Sequence, residues 1–119
     1  MARVLIVDDD EADRLIHQTI LESRGHTAHF AADGAEALEI YVATAIDVVV
    51  TDLHMPTPDG MELIGALTEI DPDVAIVVVS GESPGALGLA KVSGARVSLP
   101  KPVDPQRLVD AVEAAAAPT

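Results

Sequence analysis

The chain has 119 residues, is 49% hydrophobic but only 2% aromatic, and carries 7 basic against 20 acidic side chains for a net charge of −13. That length suits one domain around one aliphatic core, and an acidic balance with no basic face argues against direct nucleic-acid binding. The lack of cysteine excludes disulfides and thiolate metal sites. The first apolar run ends at Val7 in a triple aspartate, too short for a signal peptide or a membrane span, so a cytoplasmic protein without membrane contact is expected.

Short apolar runs alternate with helical patterns, the rhythm of repeated βα units and a parallel sheet. A first strand near Arg3 to Val7 leads into a helix from about Glu11 to Arg24, with Leu15, Ile16, Thr19 and Ile20 on one face and Gly25 as its stop. His26 to Ala31 alternates and reads as a second, more exposed strand. A helix over Ala35 to Ala43 turns Ala37, Leu38, Tyr41 and Val42 inward, and Asp47 to Thr51 is the third strand. Asp59 and Glu62 have capping-box spacing, so a third helix starts there and runs to Ile70, before the Asp71-Pro72-Asp73 turn. Ala75 to Val79 is the fourth strand. Ser83-Pro84 opens a fourth helix that Gly94 closes, and Arg96 to Leu99 is a short fifth strand. Asp104-Pro105 opens the last helix, with Leu108, Val109, Val112 and Ala116 as its buried stripe.

Four apolar runs end in groups that carry chemistry: Asp8-Asp9 after Val7, Asp52 after Thr51, Ser80 after Val79, and Lys101 after Pro100. In a parallel α/β sheet the carboxyl ends of the strands share one rim, and ligands bind there at the topological switch point. Three carboxylates, a hydroxyl and an ammonium would converge in one crevice. A carboxylate attacking a phosphoryl group faces mutual negative charge, which a hard cation must screen. The ammonium and hydroxyl supply the electrostatic positioning that phosphoryl transfer chiefly needs.

Each residue also has a plainer reading. Asp8 and Asp9 could cap the first helix, as Asp10 is taken to do; Lys101 could be a loop lysine, and Ser80 could simply end a strand. Four such groups in register at strand ends favour a site. His17, His26 and His29 neither cluster nor keep ligand spacing, and they are read as structural.

Taken together, Asp8-Asp9, Asp52 followed by Met55-Pro56 and Asp59-Gly60, Ser80-Gly81 and Lys101-Pro102 resemble the receiver domain of two-component response regulators, the CheY-like superfamily. Ala32-Asp33-Gly34-Ala35-Glu36-Ala37-Leu38 and Gly94-Ala95 share in the resemblance, which covers residues 1–119 as a single receiver domain. It implies a flavodoxin-like, doubly wound α/β fold: a five-stranded parallel sheet of order 2-1-3-4-5 with five helices. It implies a phosphoacceptor regulatory domain rather than an enzyme, taking a phosphoryl group on Asp52 from a histidine kinase or histidine phosphotransfer protein. Ser80 and Lys101 would contact the phosphoryl oxygens. Mg²⁺ would be held by Asp8, Asp9, Asp52 and the backbone carbonyl of His54. A downstream protein target or output domain would read the result, a homodimer is compatible with it, and the Lys101-Pro102 bond is expected to be cis. The chain would be a stand-alone receiver or a piece of a larger regulator or hybrid kinase.

The pattern also departs from the family. Three residues before the lysine, where many receivers carry a tyrosine or phenylalanine, stands Ser98, so an aromatic switch is impossible there. Gly85 and Gly88 weaken the fourth helix by about 1 kcal/mol each, which points to signalling through ordering of residues 81–94. The resemblance implies that His54, two after the acceptor, and Glu82, two after Ser80, border the path of attacking water and tune dephosphorylation. Two other readings stand beside this one. A small haloacid-dehalogenase-like phosphohydrolase would use Asp8-Asp9-Asp10, but it needs a further acidic pair after the lysine where this chain has Pro102-Val103-Asp104-Pro105. A degenerate receiver acting as a phosphorylation-independent interaction module is disfavoured by the presence of all five core residues.

Overall fold

In three of the strands, apolar side chains occupy successive rather than alternate positions, and this decides the architecture. Successive side chains in a strand point to opposite faces, so a continuous apolar run must be covered on both sides. The computed structural model describes residues 1–53, 60–81 and 94–117. In it β1 (Arg3–Val7), β2 (Thr27–Ala31), β3 (Val48–Thr51), β4 (Ile76–Ser80) and β5 (Val97–Pro100) form one sheet of order β2-β1-β3-β4-β5. Every neighbouring pair is parallel. Four described helices accompany it: α1 (Glu11–Glu22), α2 (Gly34–Ala43), α3 (Gly60–Ile70) and α4 (Pro105–Ala116). This is the flavodoxin-like doubly wound sheet in the expected order.

Alternate residues feed two separate cores. Leu5, Val7, Val49, Ile76 and Val78 pack against Ala37 of α2 and Leu63, Ile64 and Leu67 of α3. Val4, Ile6, Val48, Val50, Val77 and Val79 pack on the other face against Leu21 of α1 and Leu108, Val109, Val112 and Ala115 of α4. Each valine, leucine or isoleucine among them contributes about 1.5–3 kcal/mol on burial. The edge strands β2 and β5 are only partly covered, and β5 ends in Pro100, which an edge tolerates.

Helix starts follow the aspartates. Asp10 accepts from the N–H groups of Ala12 and Asp13, Asp33 from Glu36, and Asp104 from Arg107, with Pro105 in the first turn of α4. Gly25, at φ +87°, follows α1, which ends at Glu22 rather than Arg24. Gly94, at φ +139°, leads into β5 so close to α3 that a Cβ would meet Thr68 Oγ1 at 3.0 Å and Ile64 Cγ2 at 3.2 Å. Only glycine tolerates both conditions.

The expected faces of three helices need correction. His17 and Leu21 are the buried residues of α1, whereas Leu15 and Ile16 are 59% and 52% exposed; a buried imidazole occupies the inward position that hydropathy assigns to an aliphatic residue. In α2, Val42 is 66% exposed, and Ile40 joins Leu38 and Tyr41 against the core instead. In α4 the stripe runs through Ala111 and Ala115, with Ala116 at its margin. His54, Met55-Pro56, Asp59, Glu82 and the helix expected over 83–94, with Gly85 and Gly88, lie outside the described residues.

Candidate functional site

Three backbone hydrogen bonds carry the sheet one residue past its strands. The Asp8 N–H donates to the Ala31 carbonyl at 3.1 Å, the Asp52 N–H to Val7 at 3.1 Å, and the Lys101 N–H to Ser80 at 2.9 Å. Each functional side chain therefore leaves the carboxyl rim from fixed backbone. Asp8 and Asp52 follow β1 and β3, neighbours at the point where the strand order reverses. Ser80 is fully buried at the end of β4. The Lys101-Pro102 bond is cis, as the resemblance implies.

The Lys101 ammonium is the hub of this rim. Its Nζ donates to Asp13 Oδ2 at 2.7 Å and to the Oδ2 atoms of Asp8 and Asp52 at 2.9 Å each. Burial pulls the Lys101 pKa down, but the hydrogen bonds to Asp13, Asp52 and Asp8 and the charge of Asp52 outweigh it and hold the group above its ordinary value. Asp8 tells the other half. Burial pushes its carboxyl up, and the Asp52 charge adds to that rise against the N–H of Asp10 and the Lys101 ammonium. One ammonium shared by three acids keeps its own proton firmly while leaving Asp8 short of compensation.

Asp8, Asp9 and Asp52 each offer a carboxylate oxygen, and these atoms lie within 4.8 Å of one another. An all-carboxylate set suits a hard divalent cation such as Mg²⁺ rather than a soft metal. The predicted residues Asp8, Asp9, Asp52 and Lys101 thus meet at one place, with Ser80 on the adjoining strand end. The His54 carbonyl lies outside the described residues.

Asp13 was not expected here. It stands three residues after the capping Asp10, a spacing that already explains an acid as favourable at a helix N-terminus. The only signal available was that an ammonium has three N–H donors and the strand-end aspartates occupy two. A cavity of about 320 Å³ lies beside it, lined by Asp13, Ile16, His17, Lys101, Pro102 and Val103. His17 is buried there. Burial first, and the Lys101 charge second, lower its pKa against the raising influence of Asp8, Asp13 and Asp52. His26 sits at the other end of the sheet, accepting the Ala2 N–H at 2.9 Å and meeting Glu113 at 3.1 Å. Among the described residues no histidine joins a metal-competent cluster, and no helix is long and apolar enough to cross a membrane.

Residues 4–113 match the family model of the response regulator receiver domain. Sensor kinase CckA of Brucella abortus (strain 2308) is 38% identical over 115 residues, which cover 94% of this chain but 12% of that kinase. Chemotaxis protein CheY of Thermotoga maritima is 35% identical over 112 residues, covering 92% of this chain and 93% of the relative. The structure of response regulator protein TrrA from Thermotoga maritima, in complex with Mg(2+)-BeF, superposes with a TM-score of 0.88 at 26% identity, covering 97% of this chain and 99% of the other. With the sheet order, the acidic rim and the lysine after β5 already in place, these matches leave one conclusion: the chain belongs to the response regulator receiver domain family.

Proposed function

We propose that residues 1–119 form one cytoplasmic receiver domain of a two-component phosphorelay, in which Asp52 accepts a phosphoryl group from a histidine kinase or histidine phosphotransfer protein. The observation that carries this reading is the contact of Lys101 Nζ with both Asp8 and Asp52, beside a cluster of three carboxylates at the switch point of the sheet. An Asp52 carboxylate oxygen attacks phosphorus, a P–O bond forms as the donor's P–N bond breaks, and the imidazole leaves with the bonding pair. The product is an acyl phosphate. Lys101 donates to the phosphoryl oxygens, and Ser80 supplies the hydroxyl from β4.

Asp8, Asp9 and Asp52 would hold Mg²⁺, with the His54 carbonyl as a further oxygen. When bound, the ion screens the charge between carboxylate and phosphoryl oxygens. The Mg(2+)-BeF complex of the Thermotoga maritima relative supports this assignment. A downstream target or output domain would read the phosphorylated state.

The test is intact-mass measurement after incubation with acetyl phosphate and Mg²⁺. The protein should gain one phosphoryl group, and a folded Asp52→Asn variant should gain none. Undiminished labelling of that variant would remove Asp52 from the role, and sustained hydrolysis of phosphate esters would favour a phosphohydrolase.

A further inference from the structure

We propose that Asp13 is a positioning residue that restrains Lys101, tying its ammonium to α1 and slowing the arrival of a phosphoryl group at Asp52. The inference rests on Asp52 being the acceptor and concerns how fast it is loaded.

An ammonium has three N–H donors, and here all three are engaged, by Asp13 at 2.7 Å and by Asp8 and Asp52 at 2.9 Å. Asp8 and Asp52 belong to the carboxylate cluster suited to a cation, and Asp13 does not. A phosphoryl oxygen arriving at Asp52 must take a donor from a saturated ammonium. It also meets the additional negative charge of Asp13, which opposes an incoming anion. Among the described residues the one ion pair of Asp13 is with Lys101, and the neighbouring Arg14 guanidinium donates to the Asp8 carbonyl instead. The cavity beside the pair is lined by Asp13 and Lys101 but by neither Asp8 nor Asp52. The lysine side chain therefore has open space into which Asp13 can draw it, away from the acceptor.

The pair is partly exposed, with 18% of the Lys101 and 33% of the Asp13 side-chain surface accessible, so its influence is modest, and Asp13→Asn should label about threefold faster. The measurement is the initial rate of mass gain from acetyl phosphate at saturating Mg²⁺, so that weaker ion attraction does not mask the effect. Asp13→Ser, a second neutral variant, should behave alike, whereas Asp13→Glu, which keeps the charge, should stay near the wild-type rate. A second readout needs no metal or phosphodonor: proton exchange at the Lys101 ammonium, followed by ¹⁵N NMR in the metal-free protein, should be faster in Asp13→Asn. A merely structural role would move the melting temperature and leave the Glu variant no better than the neutral ones. Labelling at or below the wild-type rate in both neutral variants, or unchanged ammonium exchange, overturns the restraint and leaves the acceptor assignment standing. A wild-type protein that gains no mass overturns both.

Discussion

At the amino rim of the sheet polar side chains pair off in separate local contacts, whereas at the carboxyl rim carboxylates crowd around one ammonium. Asp47 accepts the Arg3 N–H at 2.8 Å and His26 accepts that of Ala2 at 2.9 Å. Arg96 donates to the carbonyls of Ala115 and Asp73 at 3.0 and 3.1 Å, and the Tyr41 hydroxyl donates to Asp71 at 2.8 Å. These pairings close strand and helix ends, each through its own partner. Across the sheet, Asp8, Asp13 and Asp52 share Lys101 while Asp9 completes the acidic cluster. The same residue types thus stabilise one end and hold the other in an electrostatically unfavourable state that a bound cation would relieve. Departures from local optimisation of this kind mark functional sites.

Breaking the hub should have the largest effect. Lys101→Met removes the ammonium that two nearly buried carboxylates share, and in metal-free buffer it should cost about 3 kcal/mol, measured by urea denaturation. His26→Ala at the opposite rim should cost about 2 kcal/mol, through an orphaned Ala2 N–H and a small cavity. The two should separate by function: His26→Ala should keep wild-type labelling from acetyl phosphate, and Lys101→Met should not. Equal labelling by both variants would erase the contrast between the rims.

The smallest expected effect is a pH dependence. Burial, then the Lys101 charge, holds the folded His17 below its ordinary pKa of 6.5, so the unfolded chain takes up a proton that the native state resists. The stability associated with neutral His17 is fully present above pH 6.5 and is lost as pH falls through the lowered folded value. His17→Leu should therefore flatten the fall in stability below pH 6.5. An unchanged slope would show that other groups produce it.

The strands and the strand-end residues were legible because a short continuous apolar run that stops at a polar group is a local signal. Once Val4–Val7, Val48–Val50 and Ile76–Val79 are strands of one sheet, Asp8, Asp52 and Ser80 must stand on one rim. The sheet order came from family resemblance, and the observed order β2-β1-β3-β4-β5 agrees with it. Helix rotation was less legible. The exposure of Leu15, Ile16 and Val42 depends on which side chain wins the inward position against the sheet, and in α1 the winner is His17. Asp13 stayed hidden for a similar reason: its helix-start position supplies a local explanation, and its tie to Lys101 spans 88 residues of chain.

The most direct test of the contrast between the rims is the melting temperature with and without Mg²⁺. A cation that binds the folded Asp8-Asp9-Asp52 cluster must stabilise the protein by mass action. The account predicts a clear rise in the wild type, a comparable rise in His26→Ala, and none in Asp9→Ala. A wild-type melting temperature indifferent to Mg²⁺, or the same rise in Asp9→Ala, would contradict it.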